Sequence, residues 1–231
     1  MFVSEIFYSV QGEGALTGVP SVFVRTSGCN LRCAWCDTPY TSWNAEGEQL
    51  TIDQILKKVD EFGATHTVVT GGEPMIAKGI GELTDALRER GHHITIETAG
   101  TIAPDGVACD LASISPKLGH STPKPGSIDE TWIQRHEETR LQLPVLREWI
   151  DAYDYQLKFV VASDSDIDEI QELVANLERE IPPSKILLMP EGTDPEQLAS
   201  RNDWLVDVCK STGYRYCTRL HIDLFGNTPG T

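Results

Sequence analysis

A strand followed by a helix, repeated about six times, constrains this 231-residue chain more than any other feature. Alternating and β-prone residues mark a first strand over 2–10, and a short apolar strand follows at 21–26. Thr51-Ile-Asp-Gln54 has the form of a capping box. It opens a helix with Ile52, Ile55, Leu56, Val59 and Phe62 on one face. A strand at 65–70, a helix through Ile80, Leu83 and Leu87, and strands at 93–97 and 110–114 come next. After them stand a strand at 156–161, a helix through Ile167, Ile170, Val174 and Leu177, and a strand at 185–189. Asp194-Pro195 starts a helix with a core face of Leu198, Leu205 and Val208, and a short strand lies near 216–218. Such an alternation builds parallel strands with right-handed crossovers. Motifs fall repeatedly at the carboxyl ends of the strands, the edge at which (β/α) barrels hold ligands. The expected fold is therefore α/β, a partial (β/α) barrel with about six parallel strands. A doubly wound sheet competes, but no G-x-G-x-x-G follows a strand. Residues 119–150, rich in Pro, His, Thr and charge, break the rhythm before a helical piece at Leu146–Ile150. They read as an irregular excursion from one domain spanning 1–231.

Composition removes several function classes. No apolar run approaches 18 residues, so no transmembrane helix is expected. The first residues, Met-Phe-Val-Ser-Glu-Ile, lack a basic and then apolar leader, and the chain reads as cytoplasmic. A net charge of −16 with no Lys/Arg-rich run argues against nucleic acid as a direct substrate.

Cys29, Cys33 and Cys36 form C-x3-C-x2-C directly after the strand at 21–26. Thiolates suit zinc, copper(I) or iron–sulfur clusters. A structural zinc site is normally closed by four protein ligands, and no fourth Cys or His follows within 25 residues. Three cysteines on a [4Fe–4S] cluster instead leave one iron open to an external ligand. A zinc knuckle and a disulfide framework are the alternatives; the second is the weaker in a chain with no export signal. Cys109, Cys209 and Cys217 stand far apart and read as small buried hydrophobes. His92-His93 reads as a solvated strand entrance. Gln11-Gly-Glu-Gly14 is by itself a turn in which glycine lets a backbone approach a ligand. Arg25 can clamp a carboxylate bidentately, and equally can make a surface ion pair. Lys158 reads as a charged residue near a strand end.

With an aromatic residue, Trp35, just before the last cysteine, the loop resembles that of the radical S-adenosylmethionine (SAM) enzymes. Gly71-Gly72-Glu73-Pro74, after a strand and about 35 residues beyond the cysteines, is similar to that family's GGEP motif. The finer resemblance is to the subfamily that makes 7-carboxy-7-deazaguanine for queuosine and deazapurine biosynthesis. It is carried by Gln11-Gly12-Glu13-Gly14, Phe-Val-Arg25-Thr, Cys36-Asp37-Thr38, Thr70-Gly71-Gly72, Glu97-Thr98 and Ser115-Pro116-Lys117. These span roughly the first half of the chain; residues 119–150 match nothing in the pattern.

The resemblance implies a fold, cofactors and a reaction. The fold is an incomplete barrel. Cys29, Cys33 and Cys36 hold a [4Fe–4S] cluster whose open iron chelates SAM, and reduction yields a 5′-deoxyadenosyl radical. The radical abstracts hydrogen from C6 of 6-carboxy-5,6,7,8-tetrahydropterin, which contracts, loses ammonia and becomes 7-carboxy-7-deazaguanine, with SAM regenerated. Trp35, Asp37, Gly72, Glu73, Glu97, Ser115 and Lys117 are the implied SAM contacts. Gln11, Gly12, Glu13, Arg25, Thr70 and His221 are the implied pterin contacts, and Thr38 is the implied Mg2+ ligand. A flavodoxin- or ferredoxin-type electron donor and a homodimer complete the expectation. The rivals are a radical SAM activase acting on a partner protein and a non-catalytic zinc or electron-transfer module.

Overall fold

The computed structural model describes residues 1–231. Its nine strands are β1 (Phe2–Val10), β2 (Pro20–Thr26), β3 (Glu48–Gln49), β4 (His66–Gly71), β5 (His93–Thr98), β6 (Leu111–Ile114), β7 (Tyr155–Val161), β8 (Ile186–Pro190) and β9 (Arg215–Tyr216). They form one sheet in the order β3-β1-β2-β4-β5-β6-β7-β8-β9. All pairings from β2 to β9 are parallel. The end strands β3 and β9 do not pair with each other, so the sheet is an open, partial (β/α) barrel. Of the parallel strands, β2 and β4 to β8 have four residues or more, the six expected.

Parallel pairing fails at the amino end, where β1 runs antiparallel to both β2 and β3. The connection between Val10 and Pro20 contains no helix and is too short for a parallel crossover.

The helices are α1 (Pro39–Ser42), α2 (Ile52–Asp60), α3 (Ile80–Glu89), α4 (Glu130–Thr139), α5 (Leu143–Ala152), α6 (Asp164–Asn176), α7 (Pro195–Ser200), α8 (Asn202–Thr212) and α9 (Leu220–Phe225). The capping box at Thr51 and Gln54 is formed in both directions. The helix expected from Asp194 is divided into α7 and α8 around Arg201. None of the helices is long and apolar enough to cross a membrane.

Period-two alternation divides the strands between two environments. Val22, Val24, Val69, Ile94, Ile96, Ala112, Ile114, Leu157, Phe159, Val161 and Leu188 pack in one core with Ile55, Leu83, Leu87, Leu146, Trp149, Ile170 and Leu205 of the helices. The alternate positions Arg25, Thr70, Glu97, Ser113 and Lys158 are polar and belong to the other, concave face.

Residues 119–150 are more ordered than their composition suggests. A 3-10 turn, Gly119–Ser121, leads to α4 and then α5. Helix α5 fills the crossover position between β6 and β7: Leu146 and Trp149 are buried in the main core, and Trp149 Nε1 donates to Ile102 O at 2.8 Å. At the opposite end of the sheet from the motifs, His93 stacks on His66 with ring centroids 4.9 Å apart.

Candidate active site

A cavity of about 460 Å³ opens at the carboxyl ends of β2 and β4 to β8, a volume suited to a small-molecule site. The segment leaving β2 turns at Gly28, whose φ of 110° favours glycine and whose N–H donates to Thr41 O at 2.7 Å. Beyond it Cys29, Cys33 and Cys36 all line the cavity. Cys33 packs against Leu31 and Ala99, and Cys36 Sγ lies 3.1 Å from Ser42 Oγ. Burial pushes the Cys29 thiol up to about 11 and the Cys33 thiol up to about 12. Without a metal both stay protonated at neutral pH. All three thiols line the cavity, and no group of three His, Cys, Asp or Glu side chains is drawn together as a ligand set. Three soft donors beside an open cavity fit a cluster that leaves a position for another ligand, and not a four-ligand structural zinc.

Gly72 brings a second strand end against this loop. A Cβ there would stand 2.3 Å from Gly28 O and 2.7 Å from Cys29 Cβ, so only glycine permits the approach. Gly72 and Thr70 line the cavity, but the neighbouring Glu73 does not. The family pattern implies a SAM contact at Glu73, and its side chain is engaged within the protein. Glu73 is wholly buried, and its carboxylate accepts from Met75 N (3.1 Å), Thr98 Oγ1 (2.8 Å) and Ala99 N (2.8 Å). Its N–H donates to Gly28 O at 2.9 Å. Burial raises its pKa despite these donors. Glu73 therefore joins the ends of β4 and β5 to the cysteine loop.

The Gln11–Gly14 loop contributes Gln11, Gly12 and Glu13 to the same lining. Gln11 is buried and donates from Nε2 to Ser21 Oγ at 3.0 Å. Gly14 N donates to Cys217 Sγ at 3.2 Å, and Ala15 N donates to Gln156 Oε1 at 2.7 Å. Glu13 turns inward to Lys158 Nζ (2.7 Å) and Arg219 Nε (3.2 Å). Lys158 also binds Glu97 at 2.8 Å, and Arg219 also pairs with Asp37 and donates to Gly192 O. Burial alone would raise the Glu13 pKa, but Lys158, Arg219 and His221 outweigh it and hold the carboxylate ionised far below the usual range. Burial would discharge Lys158; Glu13 and Glu97 instead keep it charged. His221 Nε2 stands 4.0 Å from Glu13, and burial keeps its imidazole neutral by lowering its pKa. Leu220 N donates to Gly12 O at 2.9 Å, which seats His221 beside Gly12 at the cavity wall.

The remaining expected residues reach the same cavity. Arg25 donates from Nε to Glu5 Oε1 at 2.6 Å, and the Tyr40 hydroxyl donates to the same oxygen at 2.9 Å. Trp35, Asp37, Thr38, Glu97, Ser115 and Lys117 are all in the lining. Lys117 Nζ donates to Ser115 O and Oγ at 2.8 Å each and lies 5.7 Å from the Trp35 ring centroid.

Lys158 and Arg219 are the charged cavity-lining residues that sequence reasoning missed. Lys158 carried a signal, since Leu157, Phe159 and Val161 assign one face of β7 to the core and leave 156, 158 and 160 to the concave side. Arg219 carried none. Its partners, Glu13 and Asp37, are 206 and 182 residues away. Val160 and Met189 supply an apolar wall, and residues 227–231 also border the cavity.

An open (β/α) barrel with three cysteines of one loop at its carboxyl edge is the architecture of the radical SAM enzymes, and residues 23–121 match the family model of the Radical SAM superfamily. The chain is 49% identical over its full length to 7-carboxy-7-deazaguanine synthase of Rhodopirellula baltica, covering 89% of that relative. It is 44% identical to 7-carboxy-7-deazaguanine synthase of Halobacterium salinarum, over 99% of this chain and 92% of that one. The crystal structure of QueE from Escherichia coli superposes with a TM-score of 0.70 at 27% identity, covering 95% of this chain and 94% of the other. A structure of TYW1 with a lysine-pyruvate adduct bound shares the fold, with a TM-score of 0.58 at 14% identity over 83% of this chain and 72% of the other. The chain belongs to the 7-carboxy-7-deazaguanine synthase family.

Proposed function

We propose that the chain, acting as one radical SAM domain over 1–231, converts 6-carboxy-5,6,7,8-tetrahydropterin to 7-carboxy-7-deazaguanine with loss of ammonia. The observation that carries this reading is one cavity lined both by Cys29, Cys33 and Cys36 and by Glu13, Arg25 and His221. Cys29, Cys33 and Cys36 would hold a [4Fe–4S] cluster, and Trp35, Asp37, Gly72, Glu97, Ser115 and Lys117 border the space for SAM beside it. When bound, the cluster and SAM supply a 5′-deoxyadenosyl radical that takes hydrogen from the substrate.

The chain's own residues bind and orient the pterin. Arg25 spends Nε on Glu5 and directs its remaining N–H groups to the substrate carboxylate, a planar fork matching a planar anion. Glu13, kept anionic by Lys158 and Arg219, accepts from N–H groups of the pterin ring. Gln11, Gly12, Thr70 and neutral His221 frame the flat heterocycle, and Phe7, Phe23, Val160 and Met189 keep water from it. Thr38 would offer a hydroxyl to Mg2+, a hard cation that would supply positive charge for the substrate carboxylate. The flavodoxin- or ferredoxin-type electron donor, the homodimer and the cytoplasmic location draw their support from the family resemblance.

Anaerobic reconstitution with iron and sulfide, then reduction and incubation with the tetrahydropterin with and without SAM, tests the reading. Deazaguanine product should require SAM and vanish in Cys33→Ala. SAM cleavage without pterin turnover would overturn the substrate. Retention of zinc with no cluster would overturn the reaction class.

A further inference from the structure

Residues 119–139 hold the cysteine loop from behind. Ala34 N donates to Ser121 O at 2.7 Å, and Arg32 N donates to His136 Nδ1 at 3.1 Å. Trp35 stacks on His120 with centroids 5.5 Å apart, and the Arg32 guanidinium covers the Trp132 ring at 3.9 Å. His120 is itself bracketed by Asp166 at 2.9 Å and Glu191 at 3.5 Å.

His136 is at the centre of these contacts. It is completely buried at 0% exposure and uses both ring nitrogens, with Nε2 2.9 Å from Ser121 Oγ. A backbone N–H can only donate, so Nδ1 is the acceptor and the neutral ring carries its proton on Nε2, toward Ser121. Burial lowers its pKa to about 4, which preserves that acceptor at neutral pH. Ser121 in turn supplies the carbonyl that receives Ala34. One imidazole thus governs an amide in each spacer of the motif: Arg32 lies between Cys29 and Cys33, and Ala34 between Cys33 and Cys36.

We infer that His136 is a positioning residue for the metal-binding loop, an imidazole supplied by the β6–β7 crossover that fixes the backbone between the cysteines before a cluster is bound. The inference presupposes that the three cysteines hold the cluster. It assigns residues 119–139 a task the sequence pattern does not announce. Outer-shell groups that orient metal ligands commonly change metal affinity about 10-fold or more.

The test compares wild type with His136→Asn, His136→Gln and His136→Ala after anaerobic reconstitution. Asparagine places an acceptor near Nδ1 and keeps the Arg32 contact; glutamine reaches toward Nε2 and gives it up. Three readouts are taken: the rate at which a chelator bleaches the cluster, the electron paramagnetic resonance spectrum of the reduced cluster, and the melting temperature of the metal-free chain. The expected result is cluster loss about 10-fold faster and an altered spectrum in the glutamine and alanine variants, with asparagine close to wild type. Equal bleaching rates and spectra in the asparagine and glutamine variants, or a reversed order, would overturn the inference. That pair decides the matter alone if the alanine variant does not fold. Failure of wild type to take up a cluster would instead overturn the reading of the cysteines, and this inference with it.

Discussion

Lys158 Nζ lies 2.7 Å from Glu13 Oε2, joining the middle of β7 to the Gln11–Gly14 loop across 145 residues of sequence. The ammonium is 5% exposed and also binds Glu97, so one cation pairs with two carboxylates at the cavity wall. Removing one partner of a buried ion pair leaves an uncompensated charge, at a cost of about 3–5 kcal/mol. Arg219 still faces Glu13, so Lys158→Met is expected near the lower end, at about 3 kcal/mol by denaturant unfolding at pH 7. The sign with pH follows from Glu13. Its depressed pKa gives stability that is present above the ordinary value of 4.5 and lost as pH falls below it toward the depressed one. The gap between wild type and variant should therefore be widest at pH 7 and narrow below pH 4.5. A gap that is constant with pH would sink the coupling.

Glu73→Gln separates a structural carboxylate from a SAM contact. Both Glu73 oxygens accept from protein donors, so an amide NH2 must face Met75 N or Ala99 N, which cannot accept. An unmade buried hydrogen bond costs about 1–3 kcal/mol. The metal-free variant should melt below wild type with no SAM in solution. Equal melting with weakened SAM binding would assign the Glu73 carboxylate to the ligand instead.

How much of this was legible in the sequence varied with the range of the interaction concerned. The capping box at Thr51 and the buried faces of α2, α3 and α6 were readable because capping and helical periodicity are local, except that Phe62, expected on the α2 face, lies past the helix end and is exposed. The candidate site residues were readable as a pattern, and all of them but Glu73 line one cavity. The hydrogen bonds of Glu73 to Thr98 and Ala99 were not legible, because a motif records spacing and not the direction of a side chain. The reversal of β1 is set by the length of the connection to Pro20, which the strand's own residues do not encode. Arg219 could not be found, since its role exists only where the tail meets Glu13 and Asp37. The composition of 119–150 concealed α4 because its mostly polar surface gives periodicity little to detect, while its one buried residue is His136.

Gly72→Ala should damage cluster assembly rather than substrate affinity. The added Cβ would meet Gly28 O at 2.3 Å and Thr41 O at 2.8 Å, backbone atoms that cannot rotate away. Overpacking of this kind costs about 1–3 kcal/mol and shifts backbone. The backbone that must shift is the turn delivering Cys29. Iron per chain after reconstitution should fall well below wild type, alongside a lower melting temperature. Full iron content would show that the loop absorbs the methyl group without moving its cysteines.

Arg25→Lys tests recognition of the substrate carboxylate. The guanidinium donates to Glu5 through Nε and retains two terminal nitrogens; an ammonium is a single point that cannot satisfy Glu5 and a planar anion together. The lost charge-assisted hydrogen bond is worth about 1.5–3 kcal/mol, or roughly 10- to 100-fold in KM for the carboxypterin. Because the carboxylate stays on the product and takes no part in hydrogen abstraction, the contact is uniform binding, and kcat should change little. Steady-state kinetics with saturating SAM reads the division directly. A fall in kcat at unchanged KM would move Arg25 from holding the substrate to shaping the rearrangement.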